Sequence, residues 1–166
     1  MKLYLKQKVF SWRDRFRIYD ANENEMFSAE GELFSFGKKL HLFNSRGEEM
    51  SFIHQKVMSF LPRYFISING EDVAEVVKKF TFFTHEYVIN VPGWSVSGDF
   101  FAHEYSVECG GRLIASVSKR WMTWGDTYEI NITDGADTVM VLSVVLVIDA
   151  IMAQQSAASV SASTGD

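Results

Sequence analysis

Histidine, carboxylate and cysteine side chains are where chemistry would have to start in this sequence. The histidines are His41, His54, His85 and His103. His85-Glu86 and His103-Glu104 each set an imidazole beside a carboxylate, the residue types that general acid–base catalysis uses. Neighbouring residues on a strand point to opposite faces, so neither pair is a ready-made site. No two histidines stand at i, i+4, and the chain has no H-E-x-x-H, G-x-S-x-G, P-loop or G-x-G-x-x-G pattern. Each histidine is therefore read as structural or superficial. Cys109 is the sole cysteine and precedes Gly110-Gly111. Beside a histidine it would be a nucleophile; the plainer reading is a small residue at a strand end. A lone cysteine also excludes an intrachain disulfide framework and a multi-cysteine zinc site. No catalytic residue, metal or cofactor is expected.

The basic residues make the better candidates. Lys38-Lys39, Lys78-Lys79 and Lys119-Arg120 are paired, and Lys2, Lys6, Lys8, Arg13, Arg15 and Arg17 face only Asp14 and Asp20 in the first twenty residues. Such clusters engage anionic head groups at about 1 kcal/mol per side chain near a membrane surface. Trp121 and Trp124 follow Lys119-Arg120, and tryptophan beside cations suits a membrane interface. The competing readings are solvated outer faces of strands for the cations and buried packing for the tryptophans. The whole chain is acidic, with a net charge of −5, which argues against nucleic acid as a partner.

These residues lie on short runs of period two. Leu3, Leu5 and Val9 alternate with lysines, and Phe16 and Ile18 alternate with Arg15, Arg17 and Tyr19. Further runs are MFSAEGELF, FGKKLHLF, MSFIHQKV, residues 63–68, VAEVVKKFTFF, EYVINV, EYSVEC, GRLIASVSKRW and TYEINI. Alternation of this kind marks strands with one wet face. Turns are expected at 20–25, at 44–47, at Asn69-Gly70 and at Gly110-Gly111. About a dozen consecutive strands without a helical interlude exclude a doubly wound parallel sheet and favour an antiparallel sandwich or closed barrel. An aromatic content of 14% against two prolines fits the same class.

The pattern breaks at Thr138, where TVMVLSVVLVIDAIM is apolar on every side. Asp134 and Asp137 precede it and can cap a helix. The run is short for a bilayer, which needs about 20 apolar residues, and Asp149 interrupts it. It is long for a strand of about 5–6 residues. The remaining solution is a helix buried all round by strands that close about it. Asp149 on that helix must find a partner or the barrel mouth. A single barrel domain over 1–155 and a disordered tail over 156–166 are expected. Met1 to Phe10 is not an apolar leader, and with one cysteine a cytoplasmic location follows.

The chain resembles the LURP-one-related proteins, within the wider Tubby C-terminal-like group that also includes the phospholipid scramblases. The resemblance rests on DRFRIYD, on FGKKLHLFNSRGEEM with Gly37, Leu40, Arg46 and Gly47, and on ASVSKRWMTWGDTYEINITDGAD running into the apolar segment. It implies a twelve-stranded barrel around a central hydrophobic helix. Tubby-type relatives bind phosphoinositides through surface basic residues, and none of their positions is carried over here. The expected function is a non-enzymatic binding or adaptor module. Its ligand would be an anionic phospholipid head group, at Lys38, Lys39, Lys78, Lys79, Lys119 and Arg120, or a protein partner. The alternatives are an enzyme with an unrecognised histidine–carboxylate site and a scramblase-like membrane-associated protein.

Overall fold

A computed structural model describes residues 1–7, 15–79, 86–120 and 127–163, with side chains as far as 155. The strands are β1 (Lys2–Gln7), β2 (Arg15–Tyr19), β3 (Glu25–Gly31), β4 (Lys39–Asn44), β5 (Glu49–Gln55) and β6 (Arg63–Ile68). They continue as β7 (Glu71–Lys78), β8 (Tyr87–Ile89), β9 (Trp94–Asp99), β10 (Glu104–Cys109), β11 (Arg112–Arg120) and β12 (Thr127–Ile132). One helix, α1 (Thr138–Ser163), ends the chain. Every strand pairs antiparallel with its neighbour in sequence except β8 with β9, and β1 pairs with β12. The resulting twelve-stranded sheet has β8 and β9 as its two edges, which stand side by side and nearly close the barrel.

Period-two residues make the barrel wall. Leu3 and Leu5, Phe16 and Ile18, Leu40 and Leu42, Ile53, Ile66, Val107, Val117 and Ile130 all point inward and are buried. Tight turns set the register. Asn69-Gly70 and Gly110-Gly111 have both residues in the left-handed region, the geometry of two-residue hairpins. Asn44 Oδ1 accepts from the backbone N–H of Arg46 and Glu48 at 2.9 and 3.0 Å and ties the next turn.

The helix fills the barrel. Val141, Leu142, Val144, Leu146, Val147, Ile148 and Ile151 are buried on all its sides. Asp137 caps its start, accepting from the Met140 N–H at 3.0 Å. Ser143 is a fully buried polar residue of the helix, and its hydroxyl meets both the buried Ser51 Oγ and the Val139 carbonyl at 2.7 Å. By length and composition the stretch Thr138–Gln155 is apolar enough to cross a bilayer, but here the strands cover it.

Three expectations differ in detail. The helix continues through Ser163, where a disordered tail was expected from Ser156. The sequence holds no glycine or proline between Gly135 and Gly165, so nothing interrupts the helical backbone. Runs read as strand through Phe34 and Val57 end at Gly31 and Gln55. β9 is a strand that alternation did not mark, because only Trp94 and Val96 on it are half-buried.

Candidate functional site

Antiparallel order gives the barrel two unlike rims. Odd-numbered strands end and even-numbered strands begin at one of them. The other receives the end of β12 and starts α1, so we term it the proximal rim and its opposite the distal rim. The distal rim is where the helix emerges: Gln154 Nε2 donates to Gln55 Oε1 at 3.1 Å, at the end of β5.

All six basic candidates sit at the distal rim. Lys38 and Lys39 open β4, Lys78 and Lys79 close β7, and Lys119 and Arg120 close β11. The three pairs share this rim but are spread around it, on strands three, four and five places apart in the ring. Lys39 Nζ meets Glu32 Oε2 at 3.2 Å and Lys79 Nζ meets Glu86 Oε2 at 3.5 Å. Arg120 pairs with Glu129 and lies over the Tyr4 ring at 5.6 Å. Lys38 is half-buried; burial lowers its pKa, and the charge of Asp149 opposes that shift. Burial likewise lowers the pKa of Lys78.

The rims differ in charge. Lys6, Arg15, Lys56 and Arg63 join the six candidates at the distal rim, against Glu30, Glu32, Glu86, Asp99, Glu104 and Asp149. The proximal rim carries Asp20, Glu23, Glu25, Glu48, Glu49, Glu71, Asp72, Glu108, Asp134 and Asp137, against Lys2, Arg46, Arg112 and the Met1 amino group, which meets Asp134 at 3.5 Å. The net −5 of the chain therefore hides a polarity along the barrel axis, and such a summed field acts well beyond contact distance.

Asp149 lies where the helix meets the distal end of the core, half-buried. Tyr64, Tyr87, Tyr105 and Tyr128 stand at the starts of β6, β8, β10 and β12 and are buried. Burial, with the Asp149 charge adding to it, holds the Tyr105 phenol protonated well above its ordinary range. Burial does the same for Tyr64 and Tyr87.

The histidines do not converge. His41 is bracketed by Glu49 at 2.7 Å and Glu32 at 3.1 Å and stacks between Phe43 and Phe52. His54 continues that aromatic ladder on the outer wall, between Phe52 and Phe65. His103 packs on the Tyr128 ring at 4.9 Å, in the left-handed region. His85, Trp121 and Trp124 lie outside the described residues. Cys109 lines a cavity of about 440 Å³ at the proximal rim with Trp94, Arg112, Ile114 and Thr133 among its neighbours, and no histidine lines it. Among the described residues no three His, Cys, Asp or Glu side chains form a metal-binding group.

Sequence reasoning missed a second feature of the distal rim. Phe34, Phe36, Met58 and Phe60 are exposed there, in the segments 32–38 and 56–62. They were absorbed into runs read as strand or left between them, since apolar residues at strand spacing look alike whether they bury or protrude.

The family model for LURP-one-related proteins matches residues 1–149. The chain is 41% identical over 152 residues to the uncharacterized protein YxjI of Bacillus subtilis (strain 168), covering 92% of this chain and 94% of that one. A protein of Arabidopsis thaliana solved by X-ray crystallography shares the fold, with a TM-score of 0.64 at 14% identity over 90% of this chain and 91% of the other. The barrel about its helix, the length of the family match and the identity to the Bacillus protein together place the chain in one group: it belongs to the LURP-one-related family.

Proposed function

We propose that this protein is a non-enzymatic binding module whose distal rim engages anionic phospholipid head groups. The observation that carries the reading is the gathering of Lys38-Lys39, Lys78-Lys79 and Lys119-Arg120 from three separate hairpins onto one rim, with the carboxylates crowded on the other. A bipolar barrel would orient itself in the field of an anionic surface, positive rim inward. The described histidines are spread over the molecule: His41 and His54 lie in an aromatic ladder with Phe52 on the outer wall, and His103 packs on Tyr128.

Co-sedimentation with vesicles tests the reading, using neutral phosphatidylcholine alone and the same lipid with phosphoinositide. The protein is expected to pellet only with the anionic vesicles, and less so as salt rises. Replacing Lys78, Lys79 and Lys119 together with glutamine should weaken binding about 100-fold, at about 1 kcal/mol per charge. Equal pelleting with neutral and anionic vesicles at low salt would remove the proposal.

A further inference from the structure

Four large apolar side chains at the distal rim are almost wholly open to solvent. Phe34 is 101% exposed, Phe36 86%, Met58 100% and Phe60 98%. Single exposed apolar residues need no explanation, but a cluster marks an interaction surface. These four lie on two adjacent segments, 32–38 and 56–62, because β4 and β5 are neighbours. The contact is built. Gln55 donates its N–H to the Lys38 carbonyl at 2.8 Å, and the Lys38 N–H donates to Gln55 Oε1 at 3.0 Å. Gly37, at φ +81, packs so that a Cβ there would touch Gln55 and Val57 at 3.4–3.5 Å. Gln55 is in turn bonded to Gln154 of the helix. The two tips are thus braced against each other and against the core helix, with their apolar side chains directed outward. Met58 is in the left-handed region, φ 61, a conformation that bulky residues seldom adopt.

The cations stand at the base of these tips. Lys38, Lys39, Lys56 and Arg63 flank the two segments. Among the described segments joining strands at the distal rim, 32–38, 56–62 and 100–103 each contain an aromatic residue. Those at the proximal rim (20–24, 45–48, 69–70, 90–93, 110–111, 133–137) contain none.

We infer that segments 32–38 and 56–62 insert their apolar tips into the interfacial layer of a lipid bilayer. Phe34, Phe36, Met58 and Phe60 enter among the upper acyl chains while the lysines and Arg63 meet phosphates. Aromatic rings with cations behind them are the combination that the bilayer interface favours. A second copy of the chain fits less well, because mating two distal rims would bring like charges face to face. This inference rests on the positive distal rim proposed above and adds that apolar side chains of that rim enter the bilayer.

The test separates the two readings. A variant with Phe34, Phe36, Met58 and Phe60 all changed to serine alters only exposed side chains and should fold. It is expected to lose about 100-fold or more in vesicle affinity, while the part that remains stays salt-sensitive. A polarity-sensitive fluorophore placed by Phe34→Cys in a Cys109→Ser background should shift to the blue on anionic vesicles and be quenched by nitroxide lipid. Vesicle binding with an unshifted fluorophore and an unaffected serine variant would overturn insertion and leave the charged-rim reading standing. No vesicle binding by the parent protein would overturn both. A mass by light scattering that falls in the serine variant, without any change in vesicle binding, would assign the tips to self-association and overturn insertion.

Discussion

Glu129 shows how one side chain on the outer wall ties elements together. It sits on β12 and receives Lys2 Nζ of β1 at 2.8 Å, Asn131 Nδ2 at 3.1 Å and the Arg120 guanidinium of β11. The Lys2 hydrogen bond, with those of Asn131 and Arg120, holds its pKa down to about 2, well below the usual carboxylate range. A carboxylate with a depressed native pKa stabilises the fold above its unfolded value and ceases to do so as pH falls through the native one. The contribution of Glu129 is therefore complete above about pH 5 and disappears between roughly pH 4.5 and 2. Melting curves of the parent protein and Glu129→Gln across that range should converge as pH falls; parallel curves would contradict the account. Gly98 on β9 is a second decisive position. Its φ is +144, and a Cβ there would collide with the Glu104 carbonyl and the Tyr105 Cα. Both are backbone or rigidly attached to it, so the strand cannot yield. Gly98→Ala should cost at least about 3 kcal/mol from strain and overpacking together, read by chemical denaturation. An effect below about 1 kcal/mol would mean that β9 does not pack against β10 in this way.

At the scale of elements the helix and the barrel depend on each other. A valine-rich helix has weak intrinsic propensity, and α1 has apolar residues on every side. It holds its shape because the wall supplies the apolar environment, and the wall closes because the helix fills it. Leu146 is fully buried at the middle of that contact. Leu146→Ala should lower stability by about 3 kcal/mol or more through lost burial and the cavity left behind. Loss of barrel and helix signals should occur in one transition, since neither has another partner. Two separate transitions in the far-ultraviolet and near-ultraviolet spectra would show the helix to be an independent unit. The strands were legible because their inner residues alternate, as Leu40 and Leu42 do. The half-wet β9 was not, because burial on one strand face is the signal and β9 has little of it.

For the whole molecule the consequence is polarity. Antiparallel order sends the ends of odd strands and the starts of even strands to one rim, where the paired cations stand at strand ends beside the exposed Phe34, Phe36, Phe60 and Phe101. The carboxylates lie in excess at the opposite rim. A net charge averaged over the chain misses this, and the acidic total counted against an anionic partner when it was the only number available. The site candidates were visible as residue pairs, but their common rim was not: Lys38 and Lys119 are far apart in sequence and share a rim only because β4 and β11 run in opposite directions as even and odd members of one barrel.

By itself the sequence determined the class of fold, since period-two runs and a fully apolar terminal segment admit few arrangements that bury both. It also marked the turn at Asn69-Gly70 and the helix cap at Asp137, which depend on local conformation and hydrogen bonding alone. Tertiary structure decided what faces what. It set Lys38 within reach of the Asp149 charge, joined the segments 32–38 and 56–62 at Gly37, Lys38 and Val57, and sorted charge between rims. Those relations follow from strand direction and register in three dimensions, which join residues whose separation along the chain carries no trace of their meeting.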